Sequence, residues 1–320
     1  MKVSVIIPCY NAEAYIRRCL NALELQQYKD FEVICVDDCS ADDTASIINE
    51  FIKRGKITIR YFRNSVNSGP ALSRNYGIEN ATGEYICFCD SDDWYSDDYL
   101  SKMVGKAKKN EADIVFCGYQ LIVNTTGRII KHPLAIDKES LSDKRKMLIT
   151  PIDSLCSLMV RKSIIAEVPQ PNIRTAEDMA IIPILMVRSN NFGCVPDCIY
   201  NYWSHAESAS MINKNKPSND GFVSIKHIMD NVGEEYRKEV AFIGARNYVY
   251  GALLNRFRYK ANIDEANDIL NGFEALFPEW YNNDYIKTLS LFKRLFLYFA
   301  HKRLFGLLRV MSWLHTLIVT

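Results

Sequence analysis

Glu84-Tyr85-Ile86-Cys87-Phe88-Cys89-Asp90-Ser91-Asp92-Asp93 passes abruptly from an apolar run to three closely spaced carboxylates. An apolar run of this length, rich in aromatic and β-branched side chains, reads as a strand buried on both faces, and the acids mark its carboxyl end. The same punctuation recurs upstream. Val3-Ser4-Val5-Ile6-Ile7 predicts a first strand that stops at Pro8-Cys9-Tyr10-Asn11. Phe31-Glu32-Val33-Ile34-Cys35-Val36 predicts a second, stopping at Asp37-Asp38-Cys39-Ser40, and Ile57-Thr58-Ile59-Arg60-Tyr61-Phe62 a third, followed by Asn67-Ser68-Gly69. Between them, one helix is expected with Ala14, Ile16, Leu20 and Leu23 on one side, and another capped by Asp42-Asp43-Thr44. Strands alternating with helices build βαβ crossovers, so the expected class is α/β, a mostly parallel sheet flanked by helices. Ligands of such sheets lie beyond the carboxyl ends of the strands, and here four strand ends bring polar groups to one edge.

The chain has 320 residues, 39 basic against 38 acidic, for a net charge of +1. That balance excludes a nucleic-acid-coating protein, and 48% hydrophobic residues exclude long disorder and fit a large core. The ten cysteines form no CxxC pair, and Cys35 and Cys87 sit inside strand-like runs, so reduced core thiols are expected rather than zinc ligands or disulfides. Met1-Lys2-Val3 enters the first strand without a charged segment and cleavage site, which predicts a cytoplasmic location. From about residue 215 the pattern is helical throughout, and the polar stretch at residues 213–220 is the expected domain boundary.

Asp90 and Asp92, two residues apart past a strand end, repel one another unless a cation sits between them. Mg²⁺ or Mn²⁺, with open positions for phosphate oxygens, suits such a pair; a solvated acidic turn is the plainer alternative. Asp38 suits either a helix cap or a hydrogen bond to a nucleobase, and Tyr10 either packing or stacking on that base. The planar fork of Arg74 matches a diphosphate, unless it is an ordinary surface arginine. No GxGxxG follows the first strand, which argues against a dinucleotide-dependent oxidoreductase.

Residues 3–11 (VSVIIPCYN), 36–44 (VDDCSADDT), 67–77 (NSGPALSRNYG) and 81–94 (ATGEYICFCDSDDW) resemble, in order, the motifs of family 2 glycosyltransferases with the GT-A fold. The resemblance implies a nucleotide-diphosphate sugar donor, UDP foremost, a divalent cation at the DxD motif, and transfer with inversion. It implies that Pro8, Cys9 and Tyr10 line the base with Tyr10 stacking, that Asp38 hydrogen-bonds it, and that Asn67, Gly69 and Arg74 lie along the ribose and diphosphate. Asp90 would meet ribose or sugar hydroxyls with Ser91 beside it, and Asp92 would hold the metal together with Asp90; Asp93 fits the longer DxDD form. Thr175-Ala176-Glu177-Asp178-Met179 resembles the family's ED motif, and the resemblance implies that Asp178 is the base that deprotonates the acceptor and that Glu177 orients or contacts the acceptor. The segment from Tyr200 to Ser210 resembles the closing aromatic strand, where His205 would complete the metal shell or bind the diphosphate, or be merely structural. The implied acceptor is a hydroxyl of a glycan or lipid-linked glycan, as in cell-surface polysaccharide synthesis. The domains expected are a catalytic domain over 1–215, with a donor-binding part over about 1–105 and an acceptor part over about 106–215, and a helical region over 216–320. A non-catalytic sugar-binding relative is the alternative, against which Asp90, Asp92 and Asp178 speak.

After Asp284 no acid occurs, whereas Lys287, Lys293, Arg294, Lys302, Arg303 and Arg309 do, so this segment carries +6 and residues 1–284 carry −5. At about 100° per residue, Lys287, Arg294, His301, Lys302 and Arg309 share a face, with Leu291, Phe292, Leu295, Phe299 and Leu308 filling the rest. No apolar run is long enough to span a bilayer. The expectation is an amphipathic basic helix on an anionic membrane surface, peripheral on its cytoplasmic face. The alternative is packing on the catalytic domain or on a second subunit of a homodimer.

Overall fold

A computed structural model describes residues 1–168, 171, 173–206, 208, 219–258 and 262–319. Strands form where the apolar runs lie: β1 (Val3–Cys9), β2 (Phe31–Asp37), β3 (Thr58–Arg63) and β4 (Tyr85–Phe88). β1 runs parallel to β2 on one side and β4 on the other, and β3 extends the sheet beyond β2. Val5, Ile6, Val33, Ile34, Ile86 and Phe88 have no exposed surface, as expected of strands covered on both faces. The register sets Cys9 opposite Asp37 and Ile6 opposite Phe88, so the strand ends carrying Tyr10, Asp38 and Asp90 come out along one edge.

Beyond β4 the parallel pattern stops. β5 (Trp94–Tyr95), β6 (Ile114–Val123), β7 (Ile129–His132), β8 (Leu158–Arg161) and β9 (Phe192–Ser204) complete a nine-stranded sheet of order β3-β2-β1-β4-β8-β6-β9-β5, with β7 paired to β6. β8 is antiparallel to β4 and β6, β5 is antiparallel to β9, and β6 and β9 are parallel. The mostly parallel sheet expected from the sequence therefore holds for β1–β4, and the whole is mixed. The reversal is set by long-range pairing of β4 with β8, about seventy residues later, which local patterning does not carry.

The helices are α1 (Ile16–Glu24), α2 (Thr44–Arg54), α3 (Pro70–Asn80), α4 (Tyr99–Asn110), α5 (Lys144–Ile149), α6 (Lys162–Ile165) and α7 (Glu177–Arg188). α1 buries Ile16, Cys19, Leu20, Ala22 and Leu23, while Ala14 precedes the helix and is exposed, against expectation. At α2 it is Asp42, ahead of the N-cap Asp43, whose Oδ1 accepts from the Thr44 amide at 3.1 Å. α3 lies so close to β1 that a Cβ on Gly77 would stand 2.4 Å from Ile6 Cγ2. All ten cysteines are free, eight of them buried.

Two compact units result, residues 1–147 with 152–208, and residues 148–151 with 209–320. Of the expected boundary at residues 213–220, positions 213–218 lie outside the described residues. The finer division expected at residues 105 and 106 runs through α4, inside one continuous sheet unit. The second unit is helical: Asp220–Asn231, Arg237–Ile243, Tyr250–Arg258, Ile263–Leu276, Leu291–His301 and Phe305–Val319. Its core holds Phe242, Phe273, Trp280 and Phe296, each no more than 2% exposed.

Candidate active site

The strand ends supply the first wall. Tyr10 follows β1 and is 53% exposed, and Pro8 is half-buried. Cys9 corrects an expectation: it is 1% exposed, with Sγ donating to the Ile7 carbonyl at 3.4 Å, so its side chain packs into the core instead of lining a base. The strand alternation that turns Tyr10 outward is what turns Cys9 in.

Asp38, 3% exposed, has its carboxylate wrapped by the loop before α3. Oδ1 accepts from the Ser68 amide and from Asn64 Nδ2, both at 2.8 Å, and Oδ2 accepts from the Gly69 amide at 2.7 Å. The carboxylate expected to reach a base thus already holds three donors and orders the loop. Gly69 takes φ +89°, a conformation that favours glycine, and Pro70 starts α3 behind it. Asn67 stands half-exposed on the same loop.

One turn into α3, Arg74 is 3% exposed, neither a surface arginine nor a side chain free to track a diphosphate. Nη2 donates to Asp90 Oδ1 at 2.7 Å, Nη1 to Glu177 Oε1 at 2.9 Å, and Asp178 Oδ1 is 3.9 Å away. Burial by itself lowers the pKa of the guanidinium, but the charges of Asp90, Asp178 and Glu177 outweigh it and raise that pKa. Arg74 therefore gathers the carboxyl end of β4 and the start of α7. Glu177 and Asp178 form the first turn of α7, where acids are stabilised by the helix dipole, behind Ala176 at φ +61°. Burial, then the neighbouring charge of Glu177, pushes the Asp178 carboxyl up to about 7, with Arg74 opposing. Its Oδ1 has no hydrogen-bond partner among the described residues. A carboxyl with such a pKa and an oxygen that takes no hydrogen bond is suited to taking a proton near neutral pH.

The turn after β4 divides its acids. Asp90 faces Arg74, Ser91 is half-buried, and Asp92 Oδ2 meets His205 Nε2 at 2.9 Å. His205, 6% exposed, also has Nδ1 3.2 Å from the Tyr15 hydroxyl. Asp93 is 1% exposed and pins β9, accepting from the Tyr200 hydroxyl and from the Trp203 amide at 2.7 Å. Burial and then the charge of Asp90 raise the pKa of Asp92, and His205 opposes them. The three residues expected to share a cation do not converge, because Asp90 is drawn to Arg74. Among the described residues no group of three acids, histidines or cysteines is placed to hold a metal. The donors still fit one: Mg²⁺-type sites need only one or two carboxylates with substrate phosphates and water, and Asp92 beside His205 offers oxygen and nitrogen.

Arg18, on α1, belongs to none of the sequence motifs. Its guanidinium lies 4.0 Å from the Trp94 ring centroid and 4.3 Å from that of Trp203, and Nη2 donates to the Asp92 carbonyl at 2.7 Å. It thereby clamps the acidic turn between two strands. The only available signal was Trp94 directly after the acids, which does not name its partner on α1. A surface cavity of about 950 Å³ shares Arg18 and Trp94 but contains none of the expected site residues.

The family description "Glycosyl transferase family 2" matches residues 4–168, just over half of the chain. TuaG of Bacillus subtilis, a glycosyltransferase assigned by name to teichuronic acid biosynthesis, is 31% identical over 201 residues, 62% of this chain and 78% of that protein. The poly(ribitol-phosphate) beta-N-acetylglucosaminyltransferase TarS of Staphylococcus aureus is 24% identical over 304 residues, 90% of this chain and 50% of TarS. The crystal structure of TarS residues 1–349 with UDP superposes with a TM-score of 0.71 at 21% identity, covering 99% of this chain and 91% of that one, and TarS has also been solved with UDP-GlcNAc. A Pyrobaculum calidifontis mannosyltransferase with GDP-Man and Mn²⁺ gives 0.57 at 17% identity, covering 98% and 86%. The chain spans only part of most curated relatives that it matches, half in the case of TarS. With the family description matching more than half of its length and its whole fold superposing on TarS, the chain belongs to glycosyl transferase family 2 and carries its α/β GT-A fold.

Proposed function

We propose that this glycosyltransferase moves a sugar from a UDP-sugar, with inversion at the anomeric carbon, to a hydroxyl of a glycan or lipid-linked glycan in cell-surface polysaccharide synthesis. The observation that carries the reading is Asp178: a carboxyl raised to about 7, with one oxygen that takes no hydrogen bond and faces Arg74 at 3.9 Å, in the charge cluster at the carboxyl edge of the sheet. TarS, solved with UDP and with UDP-GlcNAc, supports the nucleotide. TuaG, named for teichuronic acid biosynthesis, and TarS, named for poly(ribitol-phosphate), support a polymeric acceptor.

The exposed Tyr10 ring is the stacking platform for the base, and the loop ordered by Asp38 brings Asn67 and the Gly69 turn alongside the ribose and diphosphate. Asp90, held by Arg74 and 37% exposed, accepts from a donor hydroxyl next to Ser91. Asp92 with His205 would hold Mn²⁺ or Mg²⁺, whose charge favours departure of the nucleotide diphosphate. Asp178 takes the proton of the attacking acceptor hydroxyl, and Glu177, fixed by Arg74, orients that hydroxyl. Ten free cysteines support work in a reducing compartment, the cytoplasm.

Asp178→Asn tests the base. Transfer should fall by on the order of 10²–10⁴, the usual worth of a positioned general base. Stabilisation of the protein by UDP-sugar with Mn²⁺ should be unchanged. Near-normal turnover in the variant removes Asp178 from this role.

A further inference from the structure

The helical hairpin formed by Leu291–His301 and Phe305–Val319 turns apolar side chains outward. The first helix buries Phe296, Leu297 and Ala300, while Leu291, Leu295 and Tyr298, spaced i, i+4 and i+7, stand 67%, 42% and 39% exposed. After the turn Leu308, Met311 and Ser312 are buried, whereas Leu307, Val310 and Trp313 stand 44%, 52% and 61% exposed. Of the sixteen large apolar side chains exposed among the described residues, eight fall between Leu291 and Leu314. Single exposed apolar residues are ordinary, but a concentration of this kind marks a contact surface.

Cations share it. Arg294, Lys302 and Arg309 are exposed on the same hairpin and stand in no ion pair among the described residues, unlike Lys287 with Asp284 at 3.0 Å and Arg303 with Glu274 at 2.7 Å. No acid follows Asp284 to neutralise them. The separate basic and apolar faces expected from the sequence thus become, on each helix, an outward side carrying both, because Phe296, Leu297 and Ala300 on the first and Leu308, Met311 and Ser312 on the second face the core.

We propose that this surface docks on an anionic lipid surface, with Leu291, Leu307 and Trp313 entering the boundary of headgroups and acyl chains and Arg294, Lys302 and Arg309 meeting lipid phosphates. No described helix is long and apolar enough to cross a membrane, so the contact lies in the interface plane. A Trp and Tyr among aliphatic and basic side chains is the chemistry of that boundary. Symmetric pairing with a second copy would instead set the unpaired cations against their like, with no carboxylate on the hairpin to receive them. The inference stands apart from the transfer reaction, and docking would hold the enzyme where lipid-linked acceptors are.

The test sediments the full chain with phosphatidylcholine vesicles, with and without phosphatidylglycerol, and measures its mass in solution without lipid by light scattering. Binding to the anionic vesicles is expected, with a blue shift of emission that Trp313→Phe removes and a weakening as salt is raised. At about fivefold per cation, joint substitution of Arg294, Lys302 and Arg309 by Gln should weaken it about a hundredfold with the fold intact. Absence of binding to anionic vesicles at low salt overturns the proposal. So does a dimer in solution that Leu307→Asp dissociates while the three Gln substitutions leave vesicle binding unchanged.

Discussion

At Asp178 one carboxyl has opposite consequences for stability and for activity. An acid raised in the folded state favours its protonated form, so its contribution to stability is full below the ordinary Asp pKa of about 4 and is lost as pH rises through about 7. A base needs the ionised form, so kcat/KM should rise across the same window, with a midpoint near 7 in the free enzyme. A pH series of initial rates checks this, and a profile flat from about pH 5.5 to 8 contradicts the burial-driven shift. The Asp178→Asn protein should show a smaller loss of thermal stability over that interval. Arg74 sets the scale of the effect: it opposes the shift but is shared with Asp90 and Glu177, so it does not cancel it.

At the scale of elements, the entrance to α3 depends on the residue that follows β2. Asp38 satisfies the amides of Ser68 and Gly69 at a point where helix-entry N–H groups would otherwise lack partners. Asp38→Asn keeps the shape but sets a donor against donors whichever way the amide turns, and should cost about 1–3 kcal/mol in urea unfolding. Donor affinity should fall with it, because Asn67 and Gly69 ride on the same loop; unaltered stability would show that the loop orders itself. β5 and β9 are tied in a comparable way, by Asp93 to Tyr200 and Trp203 and by Arg18 between Trp94 and Trp203. These ties hold the turn that carries Asp90 and Asp92, which is why acids that would repel one another persist there.

For the whole molecule, the acids at the sheet edge already have partners: Asp90 has Arg74, Asp92 has His205, and Asp93 has Tyr200 and the Trp203 amide. With these partners in place, chelation should leave Tm unchanged while abolishing the extra stability conferred by UDP-sugar. With Mn²⁺ restored, a donor at one hundred times its Kd should add about 2.7 kcal/mol by mass action, read as a rise in Tm. A screen of nucleotide sugars by this measure identifies the preferred donor, and a failure of every UDP-sugar to raise Tm contradicts the donor class.

What the sequence determined by itself was local and periodic. The apolar runs fixed β1–β4, the order of the motifs carried the family, and the polar residues that end each run located the edge to which Tyr10, Asp38, Asp90 and Asp92 belong. Tertiary structure decided what depends on partners distant in the chain: the antiparallel β8, the loss of Cys9 to the core, the capture of Asp90 and Glu177 by Arg74, the Arg18 clamp, and the outward side of the C-terminal hairpin. The physical reason is that a residue type announces which charges and surfaces it can satisfy, whereas burial, and with it the pKa of Asp178 and the choice of ion pair, exists only once residues about a hundred positions apart share one low-dielectric space.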